Sequence, residues 1–372
     1  MLPRTIFGES AGAFSVDALL TSFPANSTPP FRGAILESGQ YSYRPAPAGS
    51  SVPAWDQLSA ALGCPGDYGS NLTCVRAANA TIIQTIIDEQ VLEFNPSPDN
   101  VTLVAHPAAQ RLSGNIAFVP VMGGTNAQEG RYVRTCQCQA SRYTDQINSV
   151  FTVGQNDTSA FLGAYLGNET ALIAAIEAAY PLGSDGISTP YDQISQIFTE
   201  LYFQCPQAKW ANDTANIGIP AWRYYFNASF ANTQRYPGLG VYHSSEIGLV
   251  FGTYAQTPAN TTTQEYALSQ SMMSAWAKFA KNPLGGPGWN QVGTGGAGPV
   301  LVGASGVEVG GVYLGTNASV VSGAWDLGLW GNRGEAMGGG ITVIDQGEVD
   351  YRCGLFEALY EAVNGVTGSG SI

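Results

Sequence analysis

Short apolar runs that end in glycine or polar residues alternate along this chain with stretches of helical periodicity. Arg4-Thr5-Ile6-Phe7 reads as the end of a short buried strand, and Ala11 to Phe23 alternates small and apolar residues at helical spacing until Pro24 stops it. Gly33-Ala34-Ile35-Leu36, ending at Glu37-Ser38-Gly39, reads as the next parallel strand, so a βαβ unit opens the chain. Helical patterns follow at Trp55–Leu62 and Asn71–Leu92. A strand at Phe118–Met122 then runs into Gly123-Gly124-Thr125-Asn126. Polar groups at such strand ends face the usual ligand crevice of an open α/β sheet. From Tyr143 to Gln207 the pattern is mainly helical, clearest at Leu172–Tyr180 and Tyr191–Tyr202, and predicts a cap over the sheet. Ala221–Phe226 returns to strand character, Tyr266–Ala280 is a strong amphipathic helix, Gly306–Leu314 is β-rich, and Tyr351–Val363 is the last helix. With no internal repeat, the pattern predicts one α/β domain over residues 1–372 with a cap-like segment at about 143–207.

Composition narrows the surroundings. Apolar residues make up 44% of the 372 and charged residues 12%, enough to fill a sizeable core. A net charge of −13 without any run of Lys or Arg argues against a nucleic-acid partner. No stretch reaches the ~20 consecutive apolar residues of a membrane-spanning helix, and the first residues lack the apolar core of a signal peptide. Yet Asn-x-Ser/Thr sequons occur at Asn26, Asn71, Asn79, Asn100, Asn156, Asn168, Asn212, Asn227, Asn260 and Asn317. Together with six cysteines and few lysines, these predict a secreted protein. A glycoprotein pattern without a leader predicts a chain missing its beginning.

Gly8-Glu9-Ser10-Ala11-Gly12 matches G-x-S-x-G between a strand and a helix, where a sharp strained turn holds a nucleophilic serine proud of the sheet and glycines make room for it. The helix start beneath Ser10 lets the backbone N–H of Ala11 face a developing oxyanion. A serine hydroxyl needs a base, and the chain has two histidines, His106 and His243. The order serine, acid, histidine favours His243, with Glu129 as the acid. His106, before a proline in a polar loop, reads as a surface residue.

These motifs resemble the type-B carboxylesterase/lipase family, the cholinesterase-like branch of the α/β hydrolases, in its fungal form. Besides the serine motif, the resemblance rests on Gly124-Thr125-Asn126-Ala127-Gln128-Glu129-Gly130 and Gly240-Val241-Tyr242-His243-Ser244-Ser245-Glu246. Phe251-Gly252 and Trp276-Ala277-Lys278-Phe279-Ala280-Lys281-Asn282-Pro283 add to it. It implies an α/β-hydrolase fold, a Ser10–His243–Glu129 triad, and a buried polar network of Glu9, Ser38 and Glu246 around it. It also implies disulfides Cys64–Cys74 and Cys205–Cys353. Cys136 and Cys138 match no position of the family, and pairing with each other and free thiols stay open; a metal site is not expected there, since no histidine is near.

The resemblance breaks at the start. The fold takes further oxyanion donors from a glycine-rich loop well before the nucleophile, and nine residues precede Ser10. The expectation is therefore a C-terminal part of an α/β hydrolase that lacks its first strands and leaves the nucleophile strand as an edge. The expected reaction is cofactor-free hydrolysis of a small-molecule or lipid ester through an acyl-enzyme, with activity falling below about pH 6–6.5 as His243 protonates. An inactive fragment and a non-enzymatic binding protein of the cholinesterase type are the competing readings, and short-chain, lipid and aromatic esters all stay open as substrates.

Overall fold

The computed structural model describes residues 4–44, 51–64, 66–131, 157–234, 239–254, 261–293, 299–301, 307–309, 312–314, 326–331 and 341–364. Cys136 and Cys138 lie outside them. The chain divides into two compact units. The larger comprises Met1–Pro45, His106–Arg134 and Gln146–Ile372, and the smaller Ala46–Ala105 and Thr135–Asp145.

In the larger unit a six-stranded sheet runs in the order β1 (Thr5–Glu9), β2 (Gly33–Glu37), β3 (Val121–Asn126), β4 (Ala221–Asn227), β8 (Asp326–Gly331) and β9 (Ile341–Asp345). All pairs are parallel except β8 with β9. β1 is the edge strand among the described residues. Helix α1 (Ala11–Ser22) carries the chain from β1 to β2, as the βαβ pattern predicted. The Phe118–Met122 strand starts later than expected, at Val121: Phe118 is exposed, and the Pro120 carbonyl accepts the Ala34 N–H at the sheet's margin. The β-rich stretch near residue 310 forms a separate antiparallel meander with β5 (Pro299–Leu301), β6 (Val307–Val309) and β7 (Val312–Leu314).

The described part of the expected cap is helical: α6 (Thr158–Leu166), α7 (Thr170–Ala179), α8 (Pro190–Phe198) and α9 (Cys205–Asn216), with a π turn at Thr199–Gln204. Its Phe161, Ile176, Ile194, Phe198 and Leu201 are buried in the same cluster as Leu20 of α1, Leu36 of β2 and Val121 of β3. The other sheet face packs Met122, Trp222, Tyr224 and Phe226 against Leu268, Met272, Trp276 and Phe279 of α11 (Thr263–Lys281). Parallel strands buried on both faces read as apolar and aromatic runs, and Ala221–Phe226 follows that pattern at every position except Arg223, which is paired with Asp350.

The smaller unit holds α2 (Val52–Ala61), α3 (Tyr68–Ala77) and α4 (Ala80–Gln90) around Leu58, Cys64 and Val75, closed by the Cys64–Cys74 disulfide. The expected helix Asn71–Leu92 is broken. Ala78 turns to extended backbone, and the Asn79 side chain accepts the Thr81 N–H at 2.8 Å to start α4. Asparagine bonds its own backbone more readily than it continues a helix.

Buried ion pairs tie the helices of the larger unit together. Asp17 of α1 accepts from Arg111 of α5 (Pro107–Leu112), from Trp210 Nε1 at 2.8 Å and from the Ser42 N–H at 2.6 Å. Both charged side chains are fully buried. Asp17→Ala leaves Arg111 without its counter-charge, and urea unfolding should show a loss of roughly 3–5 kcal/mol; an unchanged midpoint would refute the pair's role. The Cys205–Cys353 disulfide joins α9 to the chain's last helical turns across 148 residues.

Candidate active site

Three parallel strands bring their ends to one place. The registers Glu9↔Glu37 and Glu37↔Gly124 set the ends of β1, β2 and β3 side by side. Ser10 follows β1, Ser38 follows β2, and Glu129 lies three residues beyond β3. His243 lies after β4, on a loop strapped to the acid turn. The Gln128 N–H donates to the Val241 carbonyl at 3.0 Å, and the Val241 N–H donates to Gln128 Oε1 at 2.8 Å. The His243 N–H reaches the Arg131 carbonyl at 3.0 Å.

Ser10 has φ 53° and ψ −119°, a conformation foreign to most L-residues, and its N–H donates to the Glu37 carbonyl at 2.9 Å. The glycine rationale holds on one side only. A Cβ at Gly8 would run into the Gly12 carbonyl, whereas one at Gly12 would meet nothing within 4 Å. A third glycine matters instead: a Cβ at Gly39 would lie 2.6 Å from the Ser10 carbonyl oxygen.

The side chains line up as serine, imidazole and carboxylate. Ser10 Oγ lies 2.8 Å from His243 Nε2, and His243 Nδ1 lies 2.6 Å from Glu129 Oε2. With its proton on Nδ1, facing the carboxylate, the ring leaves Nε2 as an acceptor for the serine hydroxyl. Glu129 is fully buried, and its Oε1 accepts from Ser38 Oγ at 2.5 Å and from the Asn126 N–H at 2.6 Å. His243 is 4% exposed and packs against the Phe203 ring at 4.9 Å. Ala11, the first residue of α1, has no helical carbonyl to bond, so its N–H is free to serve a ligand oxygen.

Every residue expected around the triad is brought to it. Glu9 Oε1 lies 3.4 Å from His243 Nε2. Glu246 is buried, and the Asn126 side-chain amide donates to it and to the Tyr242 carbonyl at 3.0 Å. Asn126 thus serves both Glu129 and Glu246, a role the motif contained but did not reveal. Glu37 also escaped notice, because a glutamate at a strand end reads as solvated. It is fully buried, and its carboxylate accepts from Trp276 Nε1 of α11. His106 is exposed at the start of α5.

Crowded buried carboxylates change one another's protonation. Burial first, then the Glu246 charge, pushes Glu37 well above the ordinary range. Burial and the charge of Glu129 raise Glu246 to about 8. Burial also raises Glu9, opposed by His243 and by a hydrogen bond from Ser244. For His243, burial lowers the imidazolium, but the charge and hydrogen bond of Glu129, with Glu9 and Glu246 behind it, lift it above 6.5. The expectation taken from an ordinary histidine is corrected upward by this carboxylate cage.

An open α/β sheet with a strained serine, a histidine and a buried carboxylate at its strand ends defines the α/β-hydrolase class. The sequence profile of the carboxylesterase family matches residues 5–301, and the chain belongs to that family. Among its relatives, acetylcholinesterase of Bungarus fasciatus is 30% identical over 294 residues, 74% of this chain and 47% of that protein. Secreted lipase 5 of Gibberella zeae is 26% identical over 304 residues, 77% and 48% of the two chains. Chlorogenic acid esterase of Aspergillus niger is 24% identical over 294 residues, 76% and 46%. The chain spans about half the length of the curated relatives it matches.

Proposed function

We propose that this chain carries the catalytic triad of a serine carboxylesterase, with Ser10 as nucleophile, His243 as general base and then acid, and Glu129 as the group that orients the imidazole and balances its charge. The observation that carries the reading is the continuous contact from Ser10 Oγ through both nitrogens of His243 to a buried Glu129. Ser10 Oγ attacks the ester carbonyl while Nε2 takes its proton, and the Ala11 N–H receives the oxyanion. Collapse expels the alcohol, to which His243 returns the proton. Water, activated by the same nitrogen, then releases the acid and frees Ser10. The residues need no cofactor for these steps.

An apolar acyl or aromatic group is the substrate chemistry supported best. Phe203 lies against His243, Tyr202 stacks on Phe198 at 5.0 Å, and Phe14, on the helix that starts at Ser10, meets Tyr202 at 6.2 Å. Phe198 and Phe203 belong to the core while Phe14 and Tyr202 are half-buried, and small-molecule and lipid esters are both compatible with these rings. Export is supported by the two disulfides and by sequon asparagines Asn26, Asn79, Asn100 and Asn168, which are exposed; Asn71 is buried. No described helix is long and apolar enough to cross a membrane.

The test is the pH profile of kcat/KM on p-nitrophenyl butyrate. The base must be neutral to accept the serine proton, and its imidazolium is stabilised above 6.5, so the acid limb should have its midpoint above pH 6.5 and fall about tenfold per unit below it. A rate that is flat from about pH 4 to 8 would remove His243 from the mechanism. No turnover at any pH would withdraw the activity from this chain.

A further inference from the structure

Six described residues other than glycine have a positive φ, and three are serines of this site: Ser10, Ser38 and Ser244. Strain held at a site asks for a function. At Ser10 it presents the nucleophile, and at Ser38, with φ 53°, it aims a hydroxyl at Glu129. Ser244 has φ 71°, where glycine sits freely and a residue with a Cβ does not. What it has that glycine lacks is its hydroxyl, which donates to Glu9 Oε1 at 2.5 Å. That same oxygen lies 3.4 Å from His243 Nε2, the nitrogen that faces Ser10.

We propose that Ser244 is a positioning residue that pins the Glu9 carboxylate beside Nε2 of His243, so that the imidazolium formed during ester hydrolysis has a carboxylate at each ring nitrogen. This rests on the proposed triad. Glu129 faces Nδ1 inside the protein, but Glu9 keeps 23% of its side chain exposed and would otherwise turn to water. Among the described residues, the titratable groups that act on Glu9 include His243, Glu129, Glu37, Glu246 and Tyr224, and of these His243 is the one that can offer a positive charge. Burial, with Glu129 behind it, raises Glu9 above the ordinary carboxylate range, and His243 and then the Ser244 hydroxyl oppose that rise by favouring the anion. The backbone strain at Ser244 is thus coupled to a charge next to the reacting nitrogen.

The test uses the full chain labelled with 15N-histidine, in which His106 and His243 give the imidazole signals, with a His106→Asn variant to assign them. In Ser244→Gly the strain and the hydroxyl both go. The melting temperature should hold or rise, the His243 titration midpoint should fall by about half a pH unit, and kcat/KM should fall about tenfold. Ser244→Ala, which keeps the strain, should show the same midpoint shift without the gain in stability. In a Glu9→Gln background Ser244→Gly should move the midpoint no further. An unchanged His243 midpoint in both single variants overturns the proposal, as does an equal shift with and without Glu9. Because the titration needs no turnover, a chain that hydrolyses no ester would count against the triad reading while the midpoint still decides the role of Ser244.

Discussion

Replacing Ser10 with alanine is expected to lower ester hydrolysis by at least ~10⁴-fold while leaving the fold intact. The hydroxyl is the only group lost, and two other serines of the site are already engaged: Ser38 is turned to Glu129 at 2.5 Å and Ser244 to Glu9 at 2.5 Å. Alanine occupies the same strained turn, and the Ser10 N–H bond to the Glu37 carbonyl does not involve the side chain. The check is covalent labelling with a fluorescent organophosphonate, read by intact mass beside a circular-dichroism melt. The parent chain should gain one phosphonyl group and the variant none. Labelling of the variant would place the nucleophile elsewhere, and a parent that takes no label would withdraw the esterase activity from this chain.

The second large effect concerns a change of one atom. Glu129→Gln should lower kcat by roughly 10³–10⁴-fold with a much smaller change in KM. Three donors point at this carboxylate: Ser38 Oγ and the Asn126 N–H at Oε1, and His243 Nδ1 at Oε2. A carboxamide must put its NH2 on one side or the other. The Asn126 N–H is a fixed backbone donor and cannot turn away, so the amide oxygen stays there and the NH2 faces His243. Nδ1 must then accept, and the ring proton moves to Nε2, opposite Ser10, where it blocks transfer from the hydroxyl. The imidazole 15N shifts should report this change of tautomer. If Glu129→Gln keeps the Nδ1–H tautomer and near-parental kcat, the carboxylate does not orient the base.

The parts of the site that were legible lie within a few residues of one another. Gly8 to Gly12 records a backbone constraint that acts locally, and the acid and histidine motifs lie in short segments that shape their own turns. The polar shell was less legible. Asn126 was visible in the acid motif, but its bridge to Glu246 crosses 120 residues, and no local pattern encodes that contact. Ser244 stands in the histidine motif with no role assigned to it; its φ of 71° and its bond to Glu9, 235 residues away, give it a task. Glu37 ended an apolar run, and its burial became evident only with Trp276 of α11 placed over it.

By itself the sequence determined the βαβ opening, the parallel strands buried on both faces, the amphipathic helix α11 and the family, because periodicity and turn chemistry act over spans shorter than one element. It also contained the pairs Cys64–Cys74 and Cys205–Cys353 through its resemblance to that family. Only the tertiary structure decided where the helix at Asn79 breaks, that the chain divides into two compact units, and how buried Glu37, Glu129 and Glu246 gather with the half-buried Glu9 around His243. The upward shifts of Glu9, Glu37, Glu246 and His243 follow from distance and exclusion of water, quantities fixed when strands far apart in the chain come into register.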